Sequence, residues 1–190
     1  MKETLSSKAL SESIQSGTGK SSNSPSIMIT TTSSPSPIRQ TFALVGWLAL
    51  CFTAAAGAAF VSTDGWYSTI VKPSWNPPSW LFGPVWSLLY VMMAVAAWLV
   101  WCEGGWKLQR QALGFFLVQL LLNALWTPLF FGLHEPGMAF AEIVALWLSL
   151  FASVTLFWRE KKVAGFLLVP YLVWVTFAAV LNYSIWRLNP

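Results

Sequence analysis

Apolar residues run through this chain in five blocks, about 41–62, 80–102, 111–131, 136–158 and 165–187, separated by polar or Pro/Gly-rich breaks. A bilayer core about 30 Å thick needs roughly 20 residues at 1.5 Å rise per residue, and each block supplies that length. Their interiors hold one acidic residue, Glu142, and no Lys or Arg. With no water inside the bilayer, each span has to satisfy its own backbone, which means helix. The pattern predicts an all-α membrane protein, a bundle of five transmembrane helices.

The first 40 residues are a different material. Residues 16–37 are dominated by Ser, Thr, Gly and Pro and bury too little apolar surface to offset chain entropy. Positions 1–40 are therefore expected to form a disordered tail ahead of a membrane domain at 41–190. The tail lacks the apolar core of a secretory signal, and with Glu3, Glu12 and few Arg it makes a poor organelle transit peptide. A bacterial envelope membrane is favoured over an organelle membrane, and Met28 stands as an alternative start of translation.

Composition agrees with a lipid-exposed surface. The 190 residues are 56% hydrophobic and 9% charged, where a soluble domain carries about 25% charge. The net charge of +4 does not point to nucleic acid, because the basic residues flank helix ends. Lys107 and Arg110 sit at one end, and Arg159, Lys161 and Lys162 at another. Cys51 and Cys102 fall at different depths, so no disulfide joins them. The only histidine is His134, which leaves too few ligands for a structural zinc. No metal or cofactor is expected. No cluster of acid, base and nucleophile is visible, so hydrolytic catalysis lacks its parts.

Charge also sets orientation. The tail and the 103–110 and 159–164 loops share one side with Arg39 and the five basic residues just named, and the other side offers Lys72 and Arg187. The positive-inside rule places the amino terminus inside and the carboxyl terminus outside. The longest connection, 63–79, then lies outside. From Asp64 to Trp80 it carries Trp66, Trp75, Trp80, Pro73, Pro77 and Pro78. That mixture reads as a stiff, extended aromatic lid, or as an interfacial aromatic belt with proline breakers.

Thirteen tryptophans are present. Those at helix ends, Trp98, Trp101, Trp106, Trp158 and Trp186, read as interfacial anchors. Trp86, Trp126 and Trp174 sit deeper. Trp86 and Tyr90 are one turn apart on the second span, Asn123 and Trp126 share a face of the third, and Trp174, Ala178 and Leu181 form a stripe on the fifth with Asn182 beside it. Glu142 lies about two turns in on the fourth. Polar groups in lipid turn towards a bundle interior. These residues therefore predict a small-molecule pocket beneath the loop, or polar pairs that only join neighbouring helices.

The motifs resemble a known family. Lys72-Pro73-Ser74-Trp75-Asn76-Pro77-Pro78, Phe82-Gly83-Pro84-Val85-Trp86-Ser87-Leu88-Leu89-Tyr90, Leu122-Asn123-Ala124-Leu125-Trp126 and Leu181-Asn182-Tyr183-Ser184-Ile185-Trp186-Arg187 resemble the translocator proteins. These are the tryptophan-rich sensory proteins of bacteria, related to the peripheral-type benzodiazepine receptors. The likeness covers about 42–189. It implies a five-helix fold, a homodimer, and one pocket per chain closed by the first loop. The implied ligands are porphyrins such as protoporphyrin IX, sterols, and synthetic isoquinoline carboxamides and benzodiazepines. The implied pocket residues are Trp75, Trp86, Asn123, Trp126, Trp174, Ala178 and Leu181, to which the depth argument adds Tyr90 and Glu142. The family's sterol pattern falls on Leu181, Tyr183 and Arg187. The turn at Met138, where animal members tend to carry tryptophan, departs from the family pattern.

Three functions remain on sequence grounds. The first is a membrane receptor or carrier for a flat hydrophobic molecule, a porphyrin or a sterol, in tetrapyrrole regulation or transport. The second is an enzyme that degrades porphyrin under light, and the third is a regulatory protein acting through a partner. The expected partners are a hydrophobic small molecule, membrane lipid and a second copy of the chain, not nucleic acid.

Overall fold

The computed structural model describes residues 36–59 and 65–190. Among them five long helices form: α1 (Pro37–Ala59), α2 (Phe82–Cys102), α3 (Gly105–Thr127), α4 (Pro136–Glu160) and α5 (Lys162–Leu188). All five are long and apolar enough to cross a membrane, and the described residues contain no strand. The chain is an all-α, multi-pass membrane protein. The tail expected at 1–40 and the alternative start at Met28 lie outside the described residues, apart from positions 36–40. Helix α1 already begins at Pro37, where proline's fixed φ and missing N–H suit a first helical turn.

Hydroxyl groups inside the spans turn back onto their own helices. Thr53 Oγ1 donates to Ala49 O at 2.7 Å, Ser153 Oγ to Ser149 O at 2.9 Å and Ser184 Oγ to Val180 O at 2.8 Å. This pairing is why such residues cost little in lipid. Proline marks helix starts and weak points. Pro136 opens α4, and Pro170 lies inside α5, where it removes one rung of the hydrogen-bond ladder.

The helices close a ring in the order α1, α2, α5, α4, α3, with α2 also touching α3. Small residues permit close approach. Ala94, Ala96 and Ala97 of α2 are fully buried, in one core with Cys51 of α1. On α5, a Cβ added to Gly165 would stand 2.8 Å from Trp158 Cα of α4. Gly165→Ala is expected to destabilise the protein by about 1–2 kcal/mol, the cost of overpacking against backbone that has to shift. Thermal melting in detergent checks this, with Gly46→Ala, whose added Cβ would meet nothing within 4 Å, as the control that should not melt lower.

One end of the bundle is polar. Lys161 Nζ pairs with Glu103 Oε1 at 2.7 Å, Gln109 Nε2 donates to Glu160 Oε2 at 2.9 Å, and Trp98 Nε1 donates to Gln40 O at 2.9 Å. The start of α1, the α2–α3 turn and the α4–α5 turn thus meet at one end. At the opposite end the chain between α1 and α2 meets the α3–α4 turn and the C-terminus.

That α3–α4 turn is unusual. Residues Pro128–Gly132 continue α3 as a single π turn, with Leu133 N donating to Pro128 O at 2.9 Å. The wider turn carries Phe130 into the interior, where it is buried with Ala139, Leu181 and Ile185. Such turns concentrate at functional sites.

Candidate ligand cavity

A cavity of about 550 Å³ opens in the half of the bundle nearest the α1–α2 connection, within the range of about 300–1,000 Å³ typical of small-molecule sites. Trp86 and Tyr90 of α2, Asn123 and Trp126 of α3, and Trp174, Ala178 and Leu181 of α5 all line it. These are seven of the nine residues singled out from the sequence as pocket candidates. The helix periods bring them together: Trp86 stacks on Tyr90 one turn below, with ring centroids 5.4 Å apart.

The other two stand elsewhere. Trp75 is 45% exposed, and its ring meets the edge of Phe177 at 5.8 Å rather than the cavity. Its place in a turn, closed by Asn76 N donating to Pro73 O at 3.0 Å, swings it outward. Glu142 does not line the cavity either. Its carboxylate oxygens are buried without a hydrogen-bond partner among the described residues, while Ile143 and Leu146 of the same helix reach the cavity.

Polar pairs brace the walls. Tyr90 Oη donates to Asn123 Oδ1 at 2.6 Å, joining α2 to α3. Trp126 Nε1 donates to Asn182 Oδ1 at 3.0 Å, and Asn182 Nδ2 donates to Pro136 O at 2.8 Å, joining α3, α5 and α4. The alternatives of pocket and interhelical bridge are therefore both present. The same amides that tie the helices also face the cavity. Trp126 stacks on Phe130 at 5.0 Å, so the π turn adds a ring to the wall.

The α1–α2 connection covers this end. Trp66–Thr69 forms one helical turn and Ser79–Leu81 a 3₁₀ turn, so the segment is less extended than its prolines suggest. Trp66 stacks on His134 at 4.7 Å. Asn189 receives Val71 N on Oδ1 and donates from Nδ2 to Val71 O, both at 2.9 Å. Tyr67 Oη donates to Asn76 Oδ1 at 2.9 Å. Burial raises the Tyr67 hydroxyl above the usual phenol range, partly offset by the bond to Asn76, so Tyr67 remains a donor at neutral pH. Lys72 Nζ lies 4.7 Å from the centre of the Tyr67 ring and donates to Ile70 O at 3.2 Å. Among the described residues that line the cavity, Lys72 is the one charged side chain.

Tyr67, Lys72, Asn76, Phe82, Phe130, Phe131 and Phe177 also line the cavity, and the sequence reading assigned them no pocket role. Asn76 and Lys72 lay within the quoted Pro/Trp motif, which was the available signal. Nothing in hydropathy distinguishes Phe130 or Phe177 from a lipid-facing phenylalanine. The sterol pattern divides across α5: Leu181 is buried against the cavity, while Tyr183 is 45% exposed and packs on Phe140 at 5.3 Å.

Residues 42–187 match the TspO/MBR family. The chain belongs to that family. It is 44% identical over 144 residues to protein CrtK of Rhodobacter capsulatus, covering 74% of this chain and 88% of that one. It is 42% identical over 157 residues to the tryptophan-rich protein TspO of Chlorobaculum tepidum, covering 80% and 99%. It is 38% identical over 143 residues to the human translocator protein, covering 73% and 83%. The matched TspO/MBR segment contains all five helices' apolar cores and every residue of the cavity wall named above. The 1–41 segment lies before the match.

Proposed function

We propose that this TspO/MBR protein is a membrane receptor or carrier for a flat hydrophobic molecule with an acidic edge, a porphyrin such as protoporphyrin IX. The observation that carries this reading is a largely apolar cavity walled by Trp86, Trp126, Phe130 and Trp174, with Lys72 at its covered end. Ring faces supply stacking at about 0.5–1.5 kcal/mol per pair beyond burial. The Lys72 ammonium offers a charge-assisted contact to a propionate. A sterol would fill the same apolar walls but leave Lys72 without an anionic partner, so porphyrin is the better fit.

The proposal includes a homodimer, with the basic end inside. Arg39, Lys107, Arg110, Arg159, Lys161 and Lys162 cluster near the end where the α2–α3 and α4–α5 turns meet, which favours that end facing the cytoplasm.

Absorbance titration of purified protein with protoporphyrin IX and with cholesterol tests the ligand. A saturable red shift of the porphyrin Soret band is expected, with competition only by a large excess of cholesterol. Competition by cholesterol at equal concentration would make sterol the better assignment. A new product spectrum under illumination would reassign the chain to porphyrin photodegradation.

A further inference from the structure

A second recess, about 420 Å³, runs along the seam between α2 and α5. Leu88 and Met92 line it from α2, and Pro170, Val173, Trp174 and Phe177 from α5. It faces lipid: Leu88 is 61% and Val173 63% exposed, and both lie within membrane spans. Trp174 and Phe177 line this recess and the internal cavity alike. The two spaces share those rings as a wall.

We propose that the α2–α5 seam is a lateral portal, through which the cavity's ligand passes from the bilayer past Trp174 and Phe177. This rests on the cavity being the ligand site. A flat apolar ligand partitions into lipid, so its shortest path avoids water. The covered end is a poor entrance, because opening it breaks the Val71–Asn189 pair and the Trp66–His134 stack. The seam is closed by apolar contacts, and among the described residues no hydrogen bond crosses it. Trp174 meets Phe82 at 5.8 Å and Phe177 at 5.6 Å.

Two features make these rings movable. Trp98, Trp126 and Trp147 each donate an indole hydrogen bond, whereas Trp174 makes none among the described residues. Pro170, one turn before Trp174, leaves α5 without the bond to the Phe166 carbonyl, and helices bend where a rung is missing. The portal therefore opens by swinging side chains and flexing α5, with no hydrogen bond to break.

The test blocks the recess after the protein has folded. Val173→Cys is made in a Cys102→Ser background, with the fully buried Cys51 left in place. Protein in lipid nanodiscs is alkylated with N-methylmaleimide or with the much larger N-pyrenylmaleimide. Protoporphyrin IX binding is followed by stopped-flow Soret absorbance. The pyrenyl adduct is expected to slow association and dissociation by the same factor, at least tenfold, leaving equilibrium affinity unchanged, and the methyl adduct to change either rate less than twofold. Unaltered rates with the pyrenyl adduct would overturn the portal, and so would weakened affinity without slower association, which would make the recess part of the binding wall. Absence of binding by the unmodified protein would instead overturn the ligand reading on which the portal rests.

Discussion

Trp174→Ala is expected to weaken protoporphyrin IX binding at least tenfold, while Trp158→Ala leaves it within twofold. The sequence already sets the two tryptophans apart, Trp158 at the end of a span and Trp174 deeper within one. Their surroundings differ. Trp174 lines the cavity between Phe82 and Phe177. Removing its indole takes away a stacking face and a large apolar contact, together more than the 1.4 kcal/mol that a tenfold change represents. Trp158 is 44% exposed and lies against Gly165, away from the cavity. Soret absorbance is the suitable readout, because tryptophan fluorescence changes with either substitution regardless of binding. Equal losses from both variants would place the porphyrin outside the mapped cavity. The portal adds a second expectation: porphyrin should also exchange faster from Trp174→Ala, since the same indole forms part of the partition.

The membrane architecture was readable because the bilayer imposes one length and one backbone solution. Hydropathy locates the apolar centre of a helix, however, and not its ends. Helical turns begin at Gly105, before the span expected from about 111, but the backbone breaks at Gln109 (φ −105°, ψ 18°), and Lys107 and Arg110 stand either side of that kink. Those charges belong to the headgroup region, where a short helical turn ahead of the kink precedes the apolar span. At the other end, the π turn at Pro128–Gly132 left no trace in the pattern. One extra residue per turn changes which way Phe130 points without changing the composition of the segment.

The cavity was partly readable for a similar reason. Spacing places Asn123 with Trp126 and Trp174 with Ala178 on common faces, and each pair does line the cavity. Trp75 and Glu142 show where spacing runs out. A loop residue has no helical period, so the turn closed by Asn76 and Pro73 decides where Trp75 points. Glu142 has buried oxygens, as an intramembrane carboxyl should, yet inward is not the same as cavity-facing. Periodicity gives an azimuth on one helix. Which neighbour occupies that azimuth depends on the ring order, in which α5 stands between α2 and α4.

Asn182 is where that ring order becomes chemistry, and its replacement should have the largest effect on stability. Its amide accepts from Trp126 of α3 and donates to Pro136 of α4, while its own backbone belongs to α5. The residue is 1% exposed. Asn182→Leu keeps the heavy-atom count and the branching at Cγ but strands the Trp126 N–H in an apolar wall. Polar pairs in membrane proteins contribute about 0.6 kcal/mol on average and up to about 1.7. Two lost bonds plus an unpaired buried donor give an expected destabilisation of about 2–3 kcal/mol. Ser184→Ala, two residues along, removes a hydroxyl that only returns to its own helix at Val180, and should cost under about 0.5 kcal/mol. Unfolding in detergent followed by circular dichroism separates the two. Porphyrin affinity should fall with Asn182→Leu as well, because the freed Trp126 indole no longer holds its stacked position on Phe130. If Asn182→Leu melts no lower than Ser184→Ala, the amide is not the brace between three helices, and packing alone holds the cavity open.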